Sequence, residues 1–373
     1  MNGSVLDEIP LVDLKWQHRE IAAELTPALE AVMTHTAFVL GPQVAEFEEA
    51  FAEFQGVEHC VGVANGTDAL ELVLRAVGIG AGDEVIVPAN TFVATALAVA
   101  RAGATPVLVD VDPVHYLIDP EQTASRIGPR TRAILPVHLY GQMAPMELLA
   151  PIAAQAGAFL LEDAAQAQGA RRNAAGAGSL GVAAGTSFYP GKNLGAYGDA
   201  GAVLTQDAAV AAKVRRLRNY GSGQKYQHPE RGFNSRLDTL QAAVLSAKLQ
   251  HLADWTAARR EAARRYGEML KAADDIVLPH TLPGNEHVWH LYVVRVRDRD
   301  RVLETLNRAG IGAGVHYPVP FHLQGAFSGL GLGPGSFPQT EKSAREILSL
   351  PIYPGITESQ QERVADTLLA ALE

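Results

Sequence analysis

Three short segments carry side chains that could do chemistry together. In Thr186-Ser187-Phe188-Tyr189-Pro190-Gly191-Lys192-Asn193, one amine stands among apolar, aromatic and Gly/Pro neighbours. A partly desolvated lysine loses proton affinity and can attack a carbonyl. Most lysines are solvated surface groups, so this segment alone leaves both readings open. The apolar run Phe159-Leu160-Leu161 ends in Glu162-Asp163-Ala164-Ala165-Gln166. A carboxylate at the end of a buried strand lies where ligands bind and stabilises a cationic nitrogen. It could equally cap a helix. Asn65-Gly66-Thr67-Asp68 marks a strand-to-helix junction. Free amides and the dipole at a helix start favour phosphate, Gly66 permits close approach, and Thr67 adds a hydroxyl. A plain N-cap and turn is the competing reading. Taken in chain order, a phosphate cup, a strand-end acid and an amine are the three parts that pyridoxal phosphate needs.

Other motifs carry less. Gly176-Ala177-Gly178-Ser179-Leu180-Gly181 spells GxGxxG, but no strand precedes it and no helix opens on it, against a dinucleotide site. Gly191-Lys192 is an incomplete P-loop, because Asn193 replaces the Ser/Thr. The 12 histidines show no HExxH and no paired ligand spacing, so no metal site is expected.

The elements that must position these groups follow from periodicity. Cys60–Val63, Glu84–Val87, Thr105–Val109, Ala133–Val137 and Phe159–Leu161 read as strands. Helical patterns lie between them at Asp68–Val77, Ala94–Ala102, Pro120–Ile127 and Met146–Ala156. Such alternation predicts an α/β fold with a mostly parallel central sheet, whose sites lie at the carboxyl strand ends. After Asp207 helices dominate, with one long stretch over Leu237–Arg265. A strand at His290–Val296, a helix at Arg299–Ala309, a short strand at Gly314–Tyr317 and a helix at Glu358–Leu372 complete the chain. The expected division is a large domain over residues 1–252 and a smaller C-terminal α+β domain over 253–373. The polar, Gly-rich stretch between Tyr220 and Phe233 reads as a long loop of the large domain.

Composition excludes several classes. The 373-residue chain is 47% hydrophobic and 19% charged, ordinary for a globular protein. A formal charge of −10 argues against broad nucleic-acid binding. The lone Cys60 precludes an internal disulfide and fits a reducing cytoplasm. Asp7, Glu8 and Pro10 interrupt any signal-peptide core, and Arg101 cuts the apolar run 94–109, so no membrane span is expected.

Long blocks of the chain resemble the DegT/DnrJ/EryC1/StrS family of sugar aminotransferases. They include NGTDAL (65–70), GDEVIVPANTFVAT (82–95), PVHLYGQ (136–142), EDAAQAQGA (162–170), SFYPGKNLGAYGDAGA (187–202), GFNSRLDTLQAA (232–243), VWHLYVVR (288–295) and GVHYP (314–318). The resemblance implies a fold type I pyridoxal-phosphate transferase, the aspartate-aminotransferase architecture, with pyridoxamine phosphate as the intermediate cofactor form. It implies Lys192 as Schiff-base lysine, Asp163 as partner of the pyridine nitrogen and Gln166 beside the ring hydroxyl. It implies Phe92 stacked on the ring, and Gly66, Thr67, Asp68 and Ser187 around the phosphate. Asn234 matches a phosphate ligand supplied by the other subunit of a homodimer. Arg236, His316 and Tyr317 match substrate-side residues, although an ion pair and ordinary strand positions explain them as well. The implied reaction moves an amino group from L-glutamate to a nucleotide-diphosphate-linked keto-hexose. Gln166, where members acting on 4-keto sugars often carry histidine, resembles the 3-keto sugar enzymes. A 4-keto sugar transaminase, a related dehydrase and a non-catalytic regulator are the alternatives. The dehydrases replace the lysine with histidine, and position 192 is lysine.

Overall fold

The computed structural model describes residues 8–224 and 226–373. Residues 1–7, including Asp7 of the segment read against a signal peptide, lie outside the described residues, as does Lys225 of the polar loop.

Strands Thr105–Val109, Glu84–Pro88, Thr131–Ile134 and Phe159–Leu160 lie side by side in that order, all parallel. Their apolar residues are buried on both faces, as a helix-covered parallel sheet requires. Glu162–Asp163 continues the last strand and pairs in parallel with Ala183–Ser187. Gly201–Thr205 and His59–Val63 complete the row through antiparallel joints. The Leu161 amide donates to Ile134 O at 2.9 Å and the Val182 amide to Leu160 O at 2.8 Å. These bonds join the two four-stranded ladders into one sheet, in which only Gly201–Thr205 runs against the rest. The mostly parallel α/β architecture is therefore present.

Helix Gly66–Ala76 packs on this sheet through Ala69, Leu70, Leu72 and Val73, and Val93–Ala102 through Ala96, Ala98 and Val99. Two N-terminal helices, Leu14–His35 and Pro42–Gln55, received no assignment from periodicity. Asp13 caps the first by accepting the Trp16 amide, and Pro42 begins the second.

A second cluster surrounds the antiparallel strands Ile276–Val277, Tyr292–Val296 and Ile347–Leu350. Helices Leu252–Leu270, Arg299–Arg308 and Glu358–Leu372 contribute Tyr266, Leu306 and Leu368 to its core. Ile9 joins it, accepting the Gly312 amide at 2.7 Å. Phe321, Phe327 and Phe337 return to the core of the main sheet.

Three elements differ from the sequence expectation. The strand expected over Ala133–Val137 ends at Ile134, and Val137 keeps only a single bridge to Asp163. Pro136 has no N–H to extend the ladder. The stretch Leu237–Arg265 is two helices, Thr239–Leu249 and Leu252–Leu270. The His251 amide bonds Lys248 O three residues back, which tightens the last turn and redirects the chain. The strand expected over Gly314–Tyr317 reduces to one bridge between Gly314 and Ser349. Beyond it side-chain bonds replace the ladder: His316 Nδ1 meets Ser349 Oγ at 2.8 Å, and the Tyr140 hydroxyl donates to His316 O.

The polar loop is closed at its base, where the Tyr220 amide donates to Phe233 O at 2.8 Å. Gly232 is required there, since a Cβ on it would lie 1.9 Å from the Gly221 nitrogen.

Candidate active site

The carboxyl ends of the parallel strands open into a cleft of about 710 Å³. Gly66, Thr67, Phe92, Asp163, Gln166, Ser187, Lys192, His316 and Tyr317 all line it. Residues spread over 250 positions of sequence thus meet in one cavity because strand ends, helix starts and the 314–317 segment converge on it.

Asp163 ends its strand fully buried. Its Oδ2 accepts the Thr95 hydroxyl at 2.7 Å and its Oδ1 the Ala165 amide at 3.1 Å. Burial pushes its carboxyl above the ordinary range, against the pull of those donors and of Lys192. A buried carboxylate whose desolvation outweighs its donors is a site prepared for a cation, and a protonated pyridine nitrogen meets that need.

Lys192 follows the strand Ala183–Ser187 on a short loop. That loop is closed by the Lys192 amide to Tyr189 O and the Ala196 amide to Phe188 O, both at 2.8 Å. Burial lowers the Lys192 amine to about 8, and the Asp163 charge pulls it partly back. A part-deprotonated amine is the nucleophile that a cofactor aldehyde requires.

Helix Gly66–Ala76 starts at the cleft. Asn65 is its N-cap, with Oδ1 accepting the Asp68 amide at 2.8 Å. Both readings of this motif therefore coexist: it is an N-cap, and it faces the cleft. The Gly66 and Thr67 amides have no partner among the described residues, which leaves two donors for an anion. A Cβ on Gly66 would lie 2.6 Å from Ser187 Cβ, so glycine permits the approach of the Ser187 hydroxyl. Asp68 differs from the cup expected of it. Its amide is committed to Asn65, and its carboxylate accepts the Ser235 hydroxyl at 2.8 Å and meets Arg101 at 3.1 Å.

Phe92 is the N-cap residue of Val93–Ala102 and leaves its ring 51% exposed toward the cleft, with Tyr317 at 5.2 Å between centroids. Gln166 is buried and pinned, with Oε1 accepting the Tyr140 amide at 2.6 Å and Nε2 donating to the Tyr317 hydroxyl at 3.1 Å. Burial lowers the His316 imidazole to about 4 and raises the Tyr317 phenol, so both face the cleft neutral at pH 7. Asn234 is exposed and lies outside its own chain's cleft. Arg236 is outside it as well, donating to Asn219 Oδ1 at 3.1 Å and lying 5.5 Å over the Tyr220 ring.

Several contributors escaped motif reading. Thr95 falls three residues after Phe92 in the FVAT block, a spacing that puts both on one helical turn. His290 lines the cleft with Nδ1 3.2 Å from Asn193 Oδ1. Gln168 Nε2 donates to Thr186 Oγ1 and Ser187 O, fastening the strand before Lys192. The GxGxxG loop finds its use within the chain. The amides of Gly178, Leu180 and Gly181 all donate to the buried Glu162 carboxylate, at 2.6–2.9 Å.

The model of the DegT/DnrJ/EryC1/StrS aminotransferase family matches residues 19–369. Erythromycin biosynthesis sensory transduction protein EryC1 of Saccharopolyspora erythraea is 48% identical over 97% of this chain and 99% of its own. The dTDP-3-amino-3,4,6-trideoxy-alpha-D-glucose transaminase of Streptomyces venezuelae is 47% identical over 96% of this chain and 95% of its own. Among solved structures, S. venezuelae DesV in complex with ketimine intermediate superposes with a TM-score of 0.96 at 46% identity, covering 99% of each chain. With a family match over residues 19–369 and relatives 47–48% identical over nearly their full length, this chain belongs to the DegT/DnrJ/EryC1/StrS aminotransferase family, pyridoxal-phosphate-dependent enzymes of fold type I.

Proposed function

We propose that the protein transfers an amino group from an amino acid, L-glutamate, to a nucleotide-diphosphate-linked 3-keto-hexose. The observation that carries this reading is that a lysine amine, Lys192, and a buried carboxylate, Asp163, line one cleft and influence each other's charge. The 3-amino sugar named for the S. venezuelae transaminase supports the choice of carbon, and so does glutamine at position 166. The regulatory name carried by the S. erythraea relative points the other way, but every reactive group of the constellation is present here.

Bound pyridoxal phosphate supplies the electron sink that accepts the carbon-bound electron pair when a proton leaves the donor's α-carbon. In this reading Asp163 holds the proton of the ring nitrogen. Lys192 would hold the cofactor through its Nζ, and its free amine would be the base that takes the α-proton of the amino donor. An amine lowered to about 8 is part neutral at pH 7 and serves both tasks. The Gly66 and Thr67 amides, with the Thr67 and Ser187 hydroxyls, would hold the phosphate, Gln166 would serve the ring hydroxyl, and Phe92 would stack on the ring. His316 and Tyr317 stand on the substrate side as neutral hydrogen-bonding groups.

Asn234, exposed and outside its own cleft, completes the phosphate site of a second copy in a homodimer, with Arg236 beside it near the substrate of that copy. The proposed division is a cofactor domain over 1–252 and a small domain over 253–373, although Ile9 packs in the second cluster and Phe321, Phe327 and Phe337 pack in the core of the main sheet. The proposed location is the cytoplasm, as the lone Cys60 suits a reducing compartment; among the described residues no helix is long and apolar enough to cross a membrane.

An amination screen of dTDP-, UDP- and GDP-linked 3-keto and 4-keto sugars with glutamate, read by mass, tests the proposal. Product from a 3-keto sugar is expected. Turnover confined to 4-keto sugars would move the reaction to the neighbouring carbon, and no turnover with any of them would remove the sugar substrate.

A further inference from the structure

Two buried hydroxyls stand behind Asp163, and the reaction as described uses neither. Thr95 Oγ1 donates to Asp163 Oδ2 at 2.7 Å, and Thr91 Oγ1 lies 2.8 Å from Thr95 Oγ1. Both threonines are almost fully buried. The single hydroxyl proton of Thr95 is committed to the carboxylate, which only accepts. Thr91 must therefore be the donor to Thr95. The proton order is directional: Thr91 to Thr95 to Asp163.

The backbone explains why the pair is rigid. Helix Val93–Ala102 begins at Phe92, and the Thr95 amide bonds Phe92 O at 3.2 Å. One turn of helix thus carries both the aromatic ring facing the cleft and the donor to the acid. The other carboxylate oxygen is held by the Ala165 amide at 3.1 Å. The carboxylate plane is therefore clamped from two elements, the Val93–Ala102 turn and the chain after its own strand.

We propose that Thr91 and Thr95 form a hydroxyl relay that orients the Asp163 carboxylate and keeps it anionic toward the cofactor's ring nitrogen. Burial drives Asp163 toward the protonated form, and the Thr95 bond is the largest pull against it. Polarised hydroxyl chains strengthen one another in a low-dielectric interior. Thr95 is a positioning residue, acting on the cofactor only through Asp163, and the inference rests on the assignment of Asp163 to the ring nitrogen.

The test compares the affinity of full-length apoprotein for pyridoxal phosphate with its affinity for the deaza analogue, in which carbon replaces the ring nitrogen. Thr95→Val keeps the branched shape and removes the donor. Losing one hydrogen bond to a charged group should weaken pyridoxal phosphate about tenfold and leave the deaza analogue unchanged. Thr95→Ser should restore wild-type affinity, and Thr91→Val should show a smaller loss of about threefold. Equal weakening of both ligands by Thr95→Val would mean a merely structural role and overturn the relay. No weakening of either would overturn it as well. Asp163→Asn separates the two assignments, since it too should lose affinity for pyridoxal phosphate alone. If it does so and Thr95→Val does not, the relay fails and Asp163 stands. If Asp163→Asn shows no selective loss, the role of Asp163 itself falls, and the relay with it.

Discussion

Replacing Glu162 by glutamine should destabilise the protein although no reactive group is touched. The carboxylate is fully buried and accepts four donors. His138 Nε2 at 2.7 Å and the Gly178 amide at 2.8 Å meet Oε2, while the Leu180 and Gly181 amides at 2.9 and 2.6 Å meet Oε1. The Ala144 amide donates to His138 Nδ1, so Nε2 carries the proton and must donate. A glutamine amide has one oxygen and one NH2. Whichever way it turns, two of the four donors face an NH2 and lose their acceptor. At about 1–3 kcal/mol for each orphaned buried donor, the loss is about 2–6 kcal/mol. Denaturant unfolding followed by tryptophan fluorescence measures it. The pH dependence has a definite sign. Burial raises the Glu162 carboxyl, but the His138 bond and charge and the glycine amides outweigh it, and the folded carboxyl lies below its ordinary 4.5. The contribution of its charge is therefore complete above pH 4.5 and is lost as pH falls through the folded value. The gap between wild type and variant should narrow on acidification. A loss below about 1 kcal/mol, or a gap that stays constant into acid, would refute the claim that these amides are built around a charge.

Asp163→Asn, assayed with pyridoxal phosphate in excess to offset its weaker binding, should lose turnover ten- to hundredfold, the equivalent of about 1.5–3 kcal/mol for a contact to a charged group; full activity would remove the assigned role. Lys192, at about 8 instead of the usual 10.5, should react with an added aldehyde at half-maximal rate near pH 8, because the neutral amine is the nucleophile. Lys192→Ala should abolish both that reaction and the yellow colour of the protein with pyridoxal phosphate, and a half-maximum near pH 10 would contradict the burial argument. Lys192→Ala and Asn234→Ala subunits, each inactive alone, should regain part of the activity when mixed if the site is shared between chains. No recovery would argue that Asn234 does not serve a second copy.

Local sequence determined more of the site than of the fold's details. Lys192, Asp163 and Gly66-Thr67 were legible because each sits where an apolar strand gives way to a turn, and strand ends are where an α/β sheet exposes its chemistry. The strand and helix runs between residues 60 and 161 largely followed from periodicity, since buried parallel strands are continuous apolar segments, whereas the two N-terminal helices did not. Periodicity does not report where a helix changes direction, and the break at Gln250–His251 is set by one three-residue-back bond. Nor does it distinguish a strand at Gly314–Tyr317 from an extended segment held by Tyr140 and Ser349, because those partners lie far away in sequence.

The amine and acid that share the cleft show the same division. Residue type and context in the chain made Lys192 and Asp163 candidates. That they share one cleft, the direction in which burial moves their proton affinities, and the hydrogen bond of Thr95 to the acid were decided by packing alone. Glu162 is the sharpest case. By sequence it was the twin of Asp163, and the GxGxxG loop had no evident use once a dinucleotide site was set aside. Folding turned one carboxylate toward the cleft and buried the other in that loop, because adjacent residues of a strand point to opposite faces.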